Sequence, residues 1–194
     1  MTGAQDTGDA ADADGDVTIR RAEPADAPRL RELNEVALRQ VDAYAEEAVE
    51  SGMDEDLEDV EANYVDVGGD FLVAEVAGED HAESSGDPSI VGMGALEPIG
   101  EGTFQADAIV RPDDEPAGEV TRMRVDPAFQ RRGVGTRLVN RLEERARELG
   151  YETLVLDTTA RQDGAQRLYE SFGYDHEETV QWREFEVLLY RKSL

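Results

Sequence analysis

V-T-R-M-R-V-D-P-A-F-Q-R-R-G-V-G, residues Val120 to Gly135, is the most informative stretch of this chain. A β-type run from Glu119 to Val125 stops at the turn pair Asp126-Pro127. A glycine-bearing loop follows, and then an amphipathic run from Gly133 to Leu149, closed by Gly150. Strand, glycine loop and helix start together make a grip for phosphate. Glycines have no Cβ to hold a ligand away from the backbone. The first amides of a helix lack intrahelical partners, and the helix dipole favours an anion there. The alternative for Gly133 and Gly135 is an ordinary tight turn. A P-loop is excluded, because Thr136-Arg137 stands where that motif needs Lys-Ser/Thr.

Charge points to the same place. The 194-residue chain carries 46 Asp plus Glu against 19 Lys plus Arg, a net charge of -27. Residues 120–150 nevertheless hold eight arginines and four acids, a local balance of +4. A basic island on an acidic chain suits an anionic ligand. Pairing along an exposed helix accounts for the distal members, such as Arg141 and Arg145 beside Glu144 and Glu148. It does not account for Arg131 and Arg132 within the loop.

Outward from this core the chain reads as one domain, 17–194, behind an acidic and disordered tail, 1–16. Val17 to Arg21 is a first strand. Asp26, bracketed by Pro24 and Pro28, is the expected N-cap of a helix carrying Leu30, Leu33, Val36, Ala37 and Val41 at helical spacing. Tyr44 to Val65 is a second, very acidic helical region broken near Ser51-Gly52. Phe71 to Val76 and Ile90 to Leu96 read as a hairpin about the polar loop Gly78 to Pro88, with a further short strand expected at Phe104 to Val110. Thr153 to Asp157 is a buried-type strand, and Gly164 to Phe172 a helix. His176 to Val180 and Glu184 to Tyr190 form a closing antiparallel pair. The class is mixed α/β, with helices on both faces of one sheet.

Composition excludes several chemistries. There is no cysteine, hence no disulfide, thiolate metal site or cysteine nucleophile. His81 and His176 fit no ligand pattern, so no metal is expected. No apolar run approaches the ~18 residues of a membrane span, and the N-terminus has no secretory signature. The expected compartment is the cytoplasm. Of the 19 basic residues only Lys192 is lysine. Acids spread along the chain with almost no lysine resemble proteins of salt-loving microbes, whose charges concentrated salt screens. The alternative is an acidic protein that binds basic partners.

Q-R-R-G-V-G resembles the Q/R-x-x-G-x-G/A loop of the GCN5-related N-acetyltransferases, the GNAT superfamily. A second segment, A-Q-R-L-Y-E-S-F-G-Y from Ala165 to Tyr174, is similar to that family's A-x-x-L-Y-E-x-x-G-F/Y element, in the expected order. The likeness runs from Val17 to Leu194 and is concentrated in Glu119 to Tyr174. It implies a mostly antiparallel sheet of six or seven strands that splays to admit acetyl-CoA, with no metal. It implies that Gln130, Arg131, Arg132, Gly133, Val134, Gly135 and Thr136 hold the pyrophosphate, and that the backbone of Met123, Arg124 and Val125 pairs with the pantetheine arm. By simple alternation Glu119, Thr121, Met123 and Val125 share one face of the strand.

Two catalytic candidates follow from the resemblance. Glu119, eleven residues before Gln130, takes the place of a general base; the alternative is a solvated strand-start carboxylate. Tyr169 takes the place of the tyrosine that protonates the departing thiolate; the alternative is a core aromatic beside Leu168 and Phe172. Many members carry Asn seven residues before this tyrosine, in contact with the cofactor; this chain has Gln162 there, which makes it the remaining cofactor-binding candidate. The ten acids of residues 42–61 either favour a cationic acceptor or form a solvated face. Trp182 and Tyr44 either line the acceptor pocket or pack. The implied reaction moves an acetyl group to a primary amine of a small molecule or of a protein, at a lysine or N-terminus. The partners are acetyl-CoA and that amine, not nucleic acid or a membrane, with a homodimer left open. A non-catalytic acyl-CoA-binding module on the same fold is the competing function.

Overall fold

The computed structural model describes residues 17–50, 52–77, 89–99, 106–111 and 116–194. The tail expected at 1–16 and the loop Gly78 to Pro88 lie outside them. One seven-stranded sheet organises the described chain. Its strands are β1 (Val17–Arg21), β2 (Asp70–Val76), β3 (Ser89–Pro98), β4 (Ala117–Val125), β5 (Thr153–Thr159), β6 (Asp175–Trp182) and β7 (Phe185–Ser193), in the order β1-β2-β3-β4-β5-β7-β6. Every neighbouring pair is antiparallel except β4 and β5.

Helix α1 (Ala27–Gln40) covers one face, and α2 (Glu46–Glu50) follows it. Helices α3 (Val134–Leu149) and α4 (Asp163–Ser171) cover the other. Leu138, Val139, Leu142 and Ala146 of α3 meet Leu72, Ala74, Val91 and Leu154 of the sheet in one buried cluster. Leu30 and Leu33 of α1 meet Phe71, Val73 and Met93 from the other side. The strands that supply both clusters alternate their side chains between the faces, as the pleat requires.

The β4–β5 junction makes the molecule useful. Only Ala117, Gly118 and Glu119 pair with β5, opposite Thr153, Leu154 and Val155. Beyond that point β4 continues along β3 to Val125 and β5 continues along β7 to Thr159. Two intact half-sheets therefore diverge from a short parallel seam, and the facing backbone edges of Val120 to Val125 and Leu156 to Thr159 are not joined as strands.

A bulge corrects the face assignment made by alternation. Met93 opposes Arg124 and Ala95 opposes Thr121, so Gly94 alone faces both Arg122 and Met123. Arg122 absorbs the extra residue with φ 54. Past the bulge Met123 and Val125 pack with the α3 cluster. Glu119 lies instead with Arg122 and Arg124, on the wall of a cavity beneath the segment that follows α1.

Three further expectations are corrected. Asp26 stands at the N-cap position of α1 as expected, but its side chain does not cap that helix; it accepts from the Glu23 amide at 2.8 Å and closes a 3₁₀ turn at Pro24–Asp26. Tyr44 to Val65 is a chain of single turns around α2, Glu55–Glu58 and Glu61–Val65. Like charges at i,i+4 weaken a continuous helix there, and Gly52 at φ 94 ends the first piece. The segment is held by Leu57, Val60 and Tyr64, all buried. The strand expected at Phe104 to Val110 is, over its described part, a 3₁₀ turn at Ala106–Ile109. Ala and Asp are poor strand formers, and the turn seats Ile109 against Val155, Phe185 and Val187.

Candidate active site

The opened seam holds two adjoining cavities, an outer one of about 530 Å³ beside the glycine loop and an inner one of about 770 Å³ beneath the segment that follows α1. Met123, Arg124, Gln162, Ala165 and Tyr169 line both, so the two communicate.

The outer cavity is made largely of backbone. Asp126 anchors the turn after β4, accepting from the Ala128 amide at 3.0 Å and from Arg29 at 2.6 Å. The chain then passes through Arg131 at φ 63 and Gly133 at φ 79. A Cβ on Gly133 would meet nothing within 4 Å, so glycine is required there by backbone conformation alone. The first intrahelical bond is Arg137 N–H to Gly133 O at 3.0 Å. The amides of Val134, Gly135 and Thr136 thus stand at the helix mouth with no acceptor inside the helix. Gly135 has a second reason: its Cβ would lie 3.2 Å from Leu168 Cδ2, so it sets how closely α4 approaches α3.

Of the expected cofactor-binding residues, Met123, Arg124, Val125, Gln130, Arg131, Gly133, Gly135, Thr136 and Gln162 line this cavity. The side chains of Arg132 and Val134 do not. Arg132 lies over the Phe129 ring at 5.1 Å, and Val134 is buried in the core. Gln130 is tied back to Val125 O at 3.2 Å and across to Gln40 at 2.7 Å. Gln162 Oε1 accepts from the Thr159 amide and from the Thr158 and Thr159 hydroxyls, each at 3.1 Å, and so braces the turn between β5 and α4.

The basic island separates as its sequence suggests. Arg141 pairs with Glu144 and Glu148, Arg145 with Asp70 and Glu148, and Arg147 with Glu143. Among the described residues Arg131, Arg132 and Arg137 make no ion pair. Uncompensated positive charge is therefore concentrated at the loop, where an anion gains most from it.

The inner cavity is made of side chains. Glu119, 3% exposed, is the last residue of the β4–β5 seam and lines the cavity. It is not a solvated strand-start carboxylate. Glu97 stands across from it in the β3–β4 register; burial raises the Glu97 pKa, Asp56 raises it further, and Arg122 opposes both. Tyr169 combines its two readings. Its ring packs against Tyr174 at 5.8 Å and Tyr190 at 6.4 Å, while the residue also forms part of both cavity walls. Burial raises its pKa, Arg124 offsets part of that, and Asp157 adds to it. The phenol is thereby kept protonated and able to donate.

Trp182 lines the inner cavity, whereas Tyr44 packs under Arg39 at 4.3 Å. The acids of 42–61 are divided in role. Asp54 and Asp56 turn inward to clamp Arg122, at 2.7 and 2.6 Å. Glu46 and Glu58 instead pair at the surface with Arg39 and Arg31.

Sequence reasoning missed Asp157. It lies on β5 just past the seam, on the inner cavity wall, and burial lifts its carboxyl to about 6 against the pull of Arg124 and Arg122. Part of its surface meets cavity solvent, yet protein surrounds it closely enough to penalise the charge. The available signal was an acid ending an L-V-L run, where a buried strand has no use for charge.

The chain matches known proteins in sequence pattern and in fold. Residues 37–174 match the model of the acetyltransferase (GNAT) family. The uncharacterized N-acetyltransferase YsnE of Bacillus subtilis (strain 168) is 38% identical over 61 residues, which are 30% of this chain and 40% of that one. Among solved structures, a GNAT-family acetyltransferase of Staphylococcus aureus Mu50 superposes with a TM-score of 0.68 at 17% identity, over 92% of this chain and 99% of that one. The protein yncA of Salmonella typhimurium, solved with its cofactor acetyl-CoA, gives 0.63 at 21% identity over 92% and 94%. The paiA N-acetyltransferase of Thermoplasma acidophilum, solved with coenzyme A, gives 0.63 at 18% over 92% and 99%. With well over half its length inside the family model, and the splayed seam and glycine loop in place, this chain belongs to the acetyltransferase (GNAT) family.

Proposed function

We propose that this protein transfers an acetyl group from acetyl-CoA to a primary amine, in one direct step between two bound substrates. The observation that carries the reading is the opened β4–β5 seam. A positively charged, amide-lined loop lies at its outer end, and Glu119 and Tyr169 lie at its inner end. The co-substrate fits the residues present: the αL glycine and open helix start suit a pyrophosphate, and the unjoined β4 edge offers amides and carbonyls to a pantetheine arm. Bound acetyl-CoA supplies an acyl thioester whose C–S bond breaks as the C–N bond to the acceptor forms.

The protein's own groups handle the protons. Glu119 takes a proton from the acceptor ammonium, directly or through a water, so that the nitrogen has a lone pair. The Tyr169 hydroxyl gives a proton to the departing sulfur. A screen of primary amines that reads free CoA release tests the proposal. Amine-dependent CoA release is expected. Acetyl-CoA binding with no CoA release from any amine would instead support a non-catalytic acyl-CoA module.

The acidity supports a protein suited to concentrated salt. Activity or stability should then rise steeply from dilute buffer to multimolar KCl, and a flat response would remove this part of the reading.

A further inference from the structure

The geometry points to an acceptor that carries its own carboxylate, an α-amino acid or close analogue, held with its carboxylate on Arg124 and its amino group toward Asp157 and Glu119. This rests on the acetyl-transfer reading and narrows its acceptor.

The argument begins with an imbalance of charge. Arg122 and Arg124 both line the inner cavity, and only one is neutralised. Arg122 has Asp54 and Asp56 as partners. Arg124 spends Nε on Asn34 Oδ1 at 3.0 Å and Nη1 on Met123 O at 2.9 Å, both neutral. Among the described residues it makes no ion pair. Asn34 is itself fixed by a bond from Nδ2 to Asp54 at 2.8 Å, so the guanidinium is held in one place. On the facing strand Asp157 likewise has no ion-pair or hydrogen-bond partner among the described residues. Burial disfavours the charged form of each, lowering the pKa of Arg124 and raising that of Asp157.

Two opposite charges are thus held on opposite walls of one cavity without closing on each other. Each is costly while unpaired. A zwitterion satisfies both at once, and an acceptor with only an amine satisfies one. A polyamine would be drawn to Glu97, Glu119 and Asp157 but would meet the Arg124 cation at the communication with the outer cavity. The cavity of about 770 Å³ leaves room for a side chain, with Trp182 and Val187 supplying apolar wall.

The experiment compares acceptors in matched pairs: L-amino acids with side chains of several sizes, the corresponding amines without the carboxylate, and a diamine. The readout is kcat/KM from CoA release. For at least one pair the amino acid should exceed its amine by about 10²-fold or more, because a site with a buried polar group rejects the analogue that leaves it unpaired. In Arg124→Gln that ratio should fall to near unity, whatever happens to either rate alone, and Arg124→Lys should retain part of it. Equal or better use of the plain amines overturns the inference and leaves amine acetylation standing, as does a ratio that Arg124→Gln does not change. A diamine preferred above all would identify a cation-only acceptor site. CoA release from no acceptor would remove the proposed function, and this inference with it.

Discussion

Arg122 and Arg124 stand two residues apart on one strand and reach the same cavity, yet they do opposite things. Arg122 is enclosed by Asp54, Asp56 and the Met53 carbonyl, and Tyr64 donates to the same Asp56. Arg124 has neutral partners only and faces Asp157 across open space. Both are charged groups removed from bulk water. The first is saturated and fastens the Glu55–Glu58 segment to β4. The second is incomplete. In a cleft of mixed charges, saturation marks the groups that hold the fold, and incompleteness marks those that wait for a substrate.

The strongest test of that division is kinetic. Tyr169→Phe keeps the ring packed edge-on against Tyr174 and removes only the hydroxyl. It should lower kcat by ~10² to 10⁴-fold with acetyl-CoA affinity nearly unchanged. Wild-type turnover where chemistry is rate-limiting would return Tyr169 to the core and leave the unsaturated side of the cleft without an acid.

Stability should separate the two arginines next. Arg122→Met strands two inward-facing carboxylates and should cost about 3 kcal/mol, a fall in melting temperature of roughly 6–12 °C for a chain of this size. Arg124→Met removes a charge that burial already disfavours and strands only neutral acceptors, Asn34 Oδ1 and Met123 O, so it should cost less, about 1 kcal/mol. Equal losses in thermal unfolding would erase the distinction.

A smaller effect concerns Asp157, faced by Arg122, Arg124 and Glu119 from β4 and by Tyr169 from α4. Its folded pKa of about 6 lies above its ordinary 3.8, so the folded state holds this proton more tightly than the unfolded chain does. Charging it therefore opposes folding, increasingly as pH rises from about 4 to above 6. Asp157→Asn should melt higher than the wild type at pH 8, with the gain vanishing by pH 4. A gain of equal size at both pH values would show that charge is not its source.

The smallest expected effects lie at the loop. Gly133→Ala forces a Cβ into αL backbone and should cost about 1–2 kcal/mol. Gly135→Ala presses on Leu168, a side chain that can give way, and should cost less than Gly133→Ala. Both should weaken acetyl-CoA binding in isothermal titration. Unchanged affinity in both folded variants would take the loop out of the cofactor site.

Much of this could be read from the residues, and the exceptions share a cause. The glycine loop, the helix from Val134 to Leu149, the β2–β3 hairpin and the closing pair β6–β7 follow from local periodicity and turn chemistry, which a sequence displays directly. Glu119 and Tyr169 were reached through motif spacing, and the fold brings both to one cleft. What escaped was set by contacts distant in sequence. Arg122 turns to φ 54 where two acids from residues 54–56 receive it, and nothing within T-R-M-R announces that. Asp157 reads as an ordinary strand end until β4 is seen leaving β5 two residues earlier. The acids of 42–61 look uniform as letters, although two of them face inward.

The bulge at Arg122 has an evolutionary corollary. It is one residue long and leaves Thr121 and Arg122 on the same face, so a single-codon deletion of Arg122 would restore one-to-one pairing along β4 and leave its neighbours where they are, Glu119 and Arg124 on the cavity side and Met123 and Val125 against α3. What would go is the clamp on Asp54 and Asp56. A homologue with a strand one residue shorter can therefore keep its acid, base and acceptor contacts, provided that uncharged residues replace the two carboxylates that Arg122 had neutralised.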